Sequence, residues 1–148
     1  MKEKTCAFTG HRPQKLPFGF NEADERCTAL KKLLRTKIIE YIETEHVTHF
    51  ISGMALGTDM YAAEIVLGLK AAYPDITLTC ALPCESQAEK WSEPLRDRYY
   101  EVLSKCDREV LLQTRYTPDC MEKRNRYMVD HADLLIAVWH GRPSGTGK

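Results

Sequence analysis

The stretch Ile51-Ser52-Gly53-Met54-Ala55-Leu56-Gly57-Thr58-Asp59 constrains the fold more than any other part of the chain, because a short apolar run turns there into a helical pattern. Val47 to Ile51 reads as a buried strand. From Tyr61 to Ala72, residues Ala63, Val66, Leu67 and Lys70 recur at helical spacing. Gly53 and Gly57 occupy the junction. A strand feeding a helix through such a loop gathers backbone N–H groups at the positive end of the helix dipole, which favours a phosphate or a carboxylate. The junction is therefore expected to form the floor of a site for a nucleotide-type ligand.

The same rhythm runs along the rest of the chain. Lys4 to Phe8 reads as a first strand that ends in the loop Thr9-Gly10-His11-Arg12-Pro13, and Pro13, Pro17 and Gly19 keep the next stretch irregular. From Asn21 a long amphipathic helix is expected, with Cys27, Leu30, Leu34, Ile38, Tyr41 and Ile42 on one side and Lys31, Lys32, Arg35 and Glu43 on the other. The helix after the central loop stops near Tyr73-Pro74. Asp75 to Leu82 reads as a third strand with Pro83 to Gln87 as its exit loop, and a helical pattern then closes near Lys105. Glu109 to Gln113 is a fourth short strand, Pro118 to His131 a helix, and Asp133 to Trp139 the fifth strand.

This alternation implies an α/β fold, a Rossmann-like three-layer sandwich with a mainly parallel sheet of about five strands, because parallel strands need crossover connections. In such sheets ligands bind beyond the carboxyl ends of the strands, where these loops lie. With 148 residues and no linker or repeat, one domain over 1–148 is expected. The chain stops after His140-Gly141-Arg142-Pro143-Ser144-Gly145-Thr146-Gly147-Lys148, an exit loop with no helix behind it. Either the sequence is a truncated form or this sheet edge is covered by something else; an uncovered edge would make self-association reasonable.

Composition narrows the partners. Lys+Arg and Asp+Glu balance at 21 each, so no global basic field favours nucleic acid. No apolar run reaches membrane-span length, and Met1-Lys2-Glu3-Lys4 lacks the apolar core of a secretion signal, so the expected compartment is the cytoplasm. The six cysteines fall singly into predicted elements and are expected as reduced thiols. Cys80 and Cys84 lack a second ligand pair at zinc spacing, and neither a metal nor a resident cofactor is expected.

Neither a G-x-G-x-x-G fingerprint, a Walker loop nor a G-x-S-x-G elbow is present; Gly145-Thr146-Gly147-Lys148 only looks like a Walker ending. What remains is a set of four motifs: Thr9 to Pro13, Ser52 to Asp59, Arg124-Asn125-Arg126-Tyr127-Met128-Val129-Asp130, and Ser144 to Gly147. Together, and in this order, they resemble the SLOG superfamily, and within it the bacterial YpsA-like family, over essentially the whole chain. The central loop is also similar to the S-G-x-A-x-G-I-D loop of DNA-processing protein A, with Thr58 in place of Ile. Lonely Guy-type relatives cleave a nucleoside monophosphate with a P-G-G-x-G-T loop, an Arg and a Glu; Pro143-Ser144-Gly145-Thr146-Gly147 matches that loop in part. The resemblance implies a module that senses a nucleotide or ADP-ribose-like ligand. The rival readings are a nucleotide N-glycosidase and a DNA-processing accessory protein.

Each candidate residue has a plain alternative. Gly53 and Gly57 either admit a ligand phosphate or allow tight helix–strand packing. Thr58 or Asp59 is either a helix N-cap or, for Asp59, an acceptor for a ribose hydroxyl. Thr9, Gly10, His11 and Arg12 form either an anion-binding loop, with Arg12 forked onto a phosphate, or a solvated basic loop. Ser52, Met54, Gly145 and Thr146 join the expected ligand contacts through their loops, and Asn125 would reach a loop backbone or the ligand from a methionine-flanked helix face. Glu64 is either the acid or base for glycosidic cleavage or an exposed helix glutamate. Trp91, Tyr99 and Tyr100 either stack on a base or pack in the core.

Overall fold

In the computed structural model, which describes residues 3–138 and the backbone of 139 and 142–147, the elements follow the expected alternation. Strands β1 (Lys4–Gly10), β2 (Val47–Ser52), β3 (Thr77–Leu82), β4 (Arg108–Leu111) and β5 (Leu134–Trp139) are joined through helices α1 (Glu25–Thr44), α2 (Thr58–Leu69), α3 (Glu93–Lys105) and α4 (Cys120–Asp130). A short 3-10 turn covers Pro13–Lys15. All five strands are parallel, in the order β4-β3-β2-β1-β5. Sequence order reverses at β1, which places β5 on the far side from β2.

Side-chain alternation divides the sheet into two unequal faces. Cys6, Phe8, Phe50, Leu78, Cys80, Leu82, Ile136 and Val138 enter the large core with the apolar sides of α1, α2 and α3. Phe8 and Phe50 stack there at 5.8 Å. The opposite face carries Ala7, Ile51 and Ala81, which pack with Met128 and Ala132 at α4. The three layers are therefore three helices, a sheet and, among the described residues, one helix.

Two departures from the sequence reading have local causes. Helix α1 begins at Glu25 rather than Asn21, because Asn21 and Asp24 turn their side-chain oxygens onto the amides of Ala23 and Arg26; such short polar residues compete with helical hydrogen bonding. The second concerns the tail, expected as an exit loop. Its backbone forms β6 (Arg142–Gly147), antiparallel to β5 and outermost in the sheet. An edge strand tolerates Pro143, which has no amide to donate.

At the far end of the sheet Asp107 ties three elements together. Its carboxylate accepts from Lys70 Nζ at 2.7 Å and from the Leu78 amide at 2.8 Å. Burial pushes this carboxyl up, but Lys70 and the Leu78 amide outweigh it and hold it below the ordinary range. A depressed carboxyl stabilises the fold above its unfolded pKa, and that contribution fades as pH falls through the folded value. With the side chain 34% exposed, solvent screening limits the ion pair to about 1 kcal/mol. Asp107→Asn should lower stability by about that amount at pH 7, and the deficit relative to wild type should shrink progressively as pH falls below the ordinary carboxyl range; urea titrations in which the deficit stayed constant down to the lowest pH at which the fold persists would contradict this.

Candidate functional site

The loop from Ser52 to Thr58 is held by its own polar groups. Ser52 Oγ donates to the Asp59 carbonyl at 2.8 Å and accepts from the Met54 amide at 3.2 Å. The Ala55 amide points at Asp59 Oδ2 at 3.4 Å. Met54 takes φ +61°, an uncommon value for a residue with a side chain, and buries that side chain in the core. Gly57 sits at the N-cap of α2 with φ +89° and ψ −131°. Thr58, the first helical residue, donates its hydroxyl to the His11 carbonyl at 3.0 Å and so locks the β1 exit loop onto the start of α2.

The expected phosphate cradle is filled with protein. A Cβ at Gly53 would lie 2.7 Å from Arg124 Nε, and one at Gly57 would lie 2.8 Å from the His11 carbonyl oxygen. Gly10 is likewise closed by Thr58 and Val138. Small residues are needed here because a guanidinium and a neighbouring loop already occupy the space. Of the two readings open for these glycines, the geometry matches close packing.

Arg124 is the centre of this arrangement. It is 2% exposed and projects from α4 across the end of the sheet. Its Nη1 donates to the Gly53 carbonyl at 2.5 Å and to Gln87 Oε1 at 3.2 Å; its Nε donates to Asn125 Oδ1 at 2.8 Å. Gln87 Nε2 donates to the same Gly53 carbonyl at 3.2 Å. Burial lowers the Arg124 pKa while the negative charge of Asp59 works against that shift. Burial raises the Asp59 carboxyl, opposed by Arg124. The two buried groups thus offset each other electrostatically beneath the loop.

Above it opens a cleft of about 650 Å³ at the carboxyl ends of the parallel strands. Arg12 and Gln14 enter from the loop after β1, Ala55 and Leu56 from the loop after β2, Gln87, Lys90, Trp91 and Ser92 from the segment after β3, and Met121 from α4. Phe20 and Leu95 complete the wall. The described lining residues include two cations and no carboxylate, and Ala55 and Leu56 lie immediately before the positive end of the α2 dipole. This combination attracts anions.

Arg12 is the expected ligand residue that lines this cleft. Gly10, His11, Ser52, Gly53, Met54, Gly57, Thr58 and Asp59 build the floor beneath it or the packing behind it. Thr9 alternates with Phe8 and so belongs to the α4 side of the sheet with Ala7. Asn125 is exposed rather than buried among methionines, and it accepts from Arg124. Gly145 and Thr146 are corrected outright: they pair with Ile136 and Leu135, level with Phe8 and Ala7, so they run beside the middle of the sheet instead of opening at its carboxyl end. Glu64 is also displaced from the expected role. Both of its oxygens accept from Arg98, at 2.5 and 3.2 Å, in a cluster that Glu22 and Lys31 extend and that borders Phe20, Leu56 and Leu95 without itself lining the cleft.

Arg124 was expected as part of the α4 motif but not as a site residue, and neither Gln87 nor Lys90 carried an expected role. Cys120, Arg124 and Met128 are spaced i, i+4, i+8 and form the buried row of α4, a spacing visible in the sequence. The rule that selects loops after parallel strands applies equally to the segment that carries Gln87 and Lys90.

The family model YpsA, described as the YspA SLOG family, matches residues 6–148. The chain belongs to this SLOG family. Among its relatives is a UPF0398 protein of Bacillus velezensis, 30% identical over 147 residues, which span 98% of this chain and 80% of the relative. UPF0398 proteins of Bacillus cereus and Bacillus thuringiensis are each 31% identical over 147 residues, 98% of this chain and 79% of theirs. The YpsA-type match takes in β1 from Cys6 onward, the junction at Gly53 and the α4 row that carries Arg124, so the floor of the cleft lies inside the family region. Among the described residues no cluster of three or more His, Cys, Asp or Glu could hold a metal, and no helix is long and apolar enough to cross a membrane.

Proposed function

We propose that this SLOG protein is a cytoplasmic ligand-binding module whose cleft takes a nucleotide or an ADP-ribose-like molecule, and that it works as a sensor or regulator. The observation that carries the reading is the lining chemistry: Arg12 and Lys90 share the cleft with the residues that precede α2, with no carboxylate among the described lining residues. Arg12 meets the phosphate, since an exposed guanidinium can form two parallel charge-assisted hydrogen bonds to it. A glycosidase would need an acid or base at the sugar. Glu64 is occupied by Arg98 and Asp59 is buried under the loop, which favours binding over hydrolysis.

Thermal-shift screening with AMP, ADP-ribose, NAD and nucleotide sugars tests this, followed by chromatography of any ligand that binds. Stabilisation should reach about 2.7 kcal/mol at a hundredfold excess over Kd, with the ligand recovered intact. Arg12→Ala should weaken binding roughly tenfold to a hundredfold, the range of a lost charge-assisted hydrogen bond. Release of free base, or an Arg12→Ala variant that binds as tightly as wild type, would refute the proposal.

A further inference from the structure

Phe20 is 55% exposed, yet the turn that carries it is well anchored. Leu16 and Phe18 on either side of Pro17 are buried, and Phe18 packs at 6.5 Å on Tyr61 of α2. Hydrogen bonds from the Gly19 amide to the Leu16 carbonyl and from the Asn21 amide to the Phe18 carbonyl, each 3.1 Å, fix the turn around it. The chain thus holds a large apolar ring at the wall of the cleft, where water meets it.

Trp91 lines the same cleft and is held just as firmly. Its ring meets Tyr99 edge-on at 5.2 Å and 87°, and Tyr99 is itself buried in the core. Its amide donates to the Ala88 carbonyl at 3.1 Å. A half-buried indole seated on a fixed phenol loses little freedom when it gains a stacking partner. Leu95 and Met121 add apolar surface nearby.

We infer that Phe20 and Trp91 are the base-recognition wall of the cleft: they take the flat face of a nucleobase while Arg12 takes the phosphate at the other end. This assignment rests on the nucleotide reading above and adds what carries selectivity. Base–aromatic stacking is tolerant of base identity, so the wall separates nucleotides from sugar phosphates lacking a base and favours no single base. A bare sugar phosphate would leave both rings in water.

The test uses the full chain carrying Trp139→Phe, which leaves Trp91 as its one tryptophan, titrated with AMP, GMP, CMP, UMP and ribose 5-phosphate. Calorimetry on the unsubstituted chain gives the same affinities independently of fluorescence. The nucleotides should quench Trp91 and bind at least about fivefold tighter than ribose 5-phosphate, the lower end of what base stacking contributes. Phe20→Ala, at an exposed position, should remove about that factor for the nucleotides and leave ribose 5-phosphate unchanged. Equal affinity for ribose 5-phosphate and the nucleotides, or no effect of Phe20→Ala, overturns the aromatic wall while the anion-binding reading stands. Failure of every probe to bind overturns both.

Discussion

Arg124→Met is expected to destabilise the protein by about 1.5–3 kcal/mol, the usual cost of losing a charged donor's hydrogen bond to a buried carbonyl, here that of Gly53. The Gly53 carbonyl would keep only its bond from Gln87, and the Asp59 carboxylate would lose the positive charge that offsets its burial. The pH dependence follows from the same pair. Asp59 already has a raised carboxyl pKa in the fold, so its contribution to stability is complete below the unfolded value and declines as pH rises through the folded one. Without Arg124 the folded value rises further, and the variant should be closer to wild type at pH 5 than at pH 8. Adding Asp59→Asn should restore part of the loss by removing the charge left unpaired. Urea denaturation of the two single variants and the double variant measures the coupling. A loss under 1 kcal/mol would show that Arg124 is not what holds the cleft floor, and no coupling between the two sites would remove the electrostatic link to Asp59.

Gly57→Ala should cost about 3 kcal/mol or more, for two reasons that act together. Its φ of +89° with ψ of −131° lies where side chains are strained, and the added Cβ would sit 2.8 Å from the His11 carbonyl oxygen and 3.0 Å from Arg12 Cα. Those are backbone atoms and cannot swing aside. Any relief requires the β1 exit loop to separate from α2, which would break the Thr58–His11 hydrogen bond and move Arg12 in the cleft. Loss of stability and loss of ligand affinity are therefore expected in the same variant. Gly68 provides the contrast. It lies exposed in α2 with open space where a Cβ would go, so Gly68→Ala should stabilise by roughly 0.5–1 kcal/mol through helix propensity alone. Equal effects at the two positions would remove the packing role assigned to Gly57.

The contrast between these glycines marks how far the amino-acid order could be read. A strand, a glycine loop and a helix were legible between Val47 and Leu69 because apolar spacing and glycine punctuation are local properties. What filled the space beside Gly53 was not, since Arg124 arrives from a helix 71 positions away in the chain. The same limit explains Glu64, whose partner Arg98 comes from another helix. It also explains Gly145 and Thr146: glycine and threonine suit a loop or an edge strand, and only the unpaired side of β5 selects the strand.

The order of residues by itself determined the parallel α/β fold, the five crossover-linked strands, the end of the sheet where a ligand would enter, and Arg12 as a cation at that end. Tertiary structure decided which residues face the cleft and which support it. It turned Gly10, Gly53 and Gly57 from open contacts into packing sites, buried Asp59 where the charge of Arg124 is felt, and brought Lys90, Trp91 and Phe20 to one cleft. Periodicity reports which side of its own element a residue takes. What that side meets depends on chain segments far away in sequence, and burial then sets whether a charge there binds ligand or stabilises the fold.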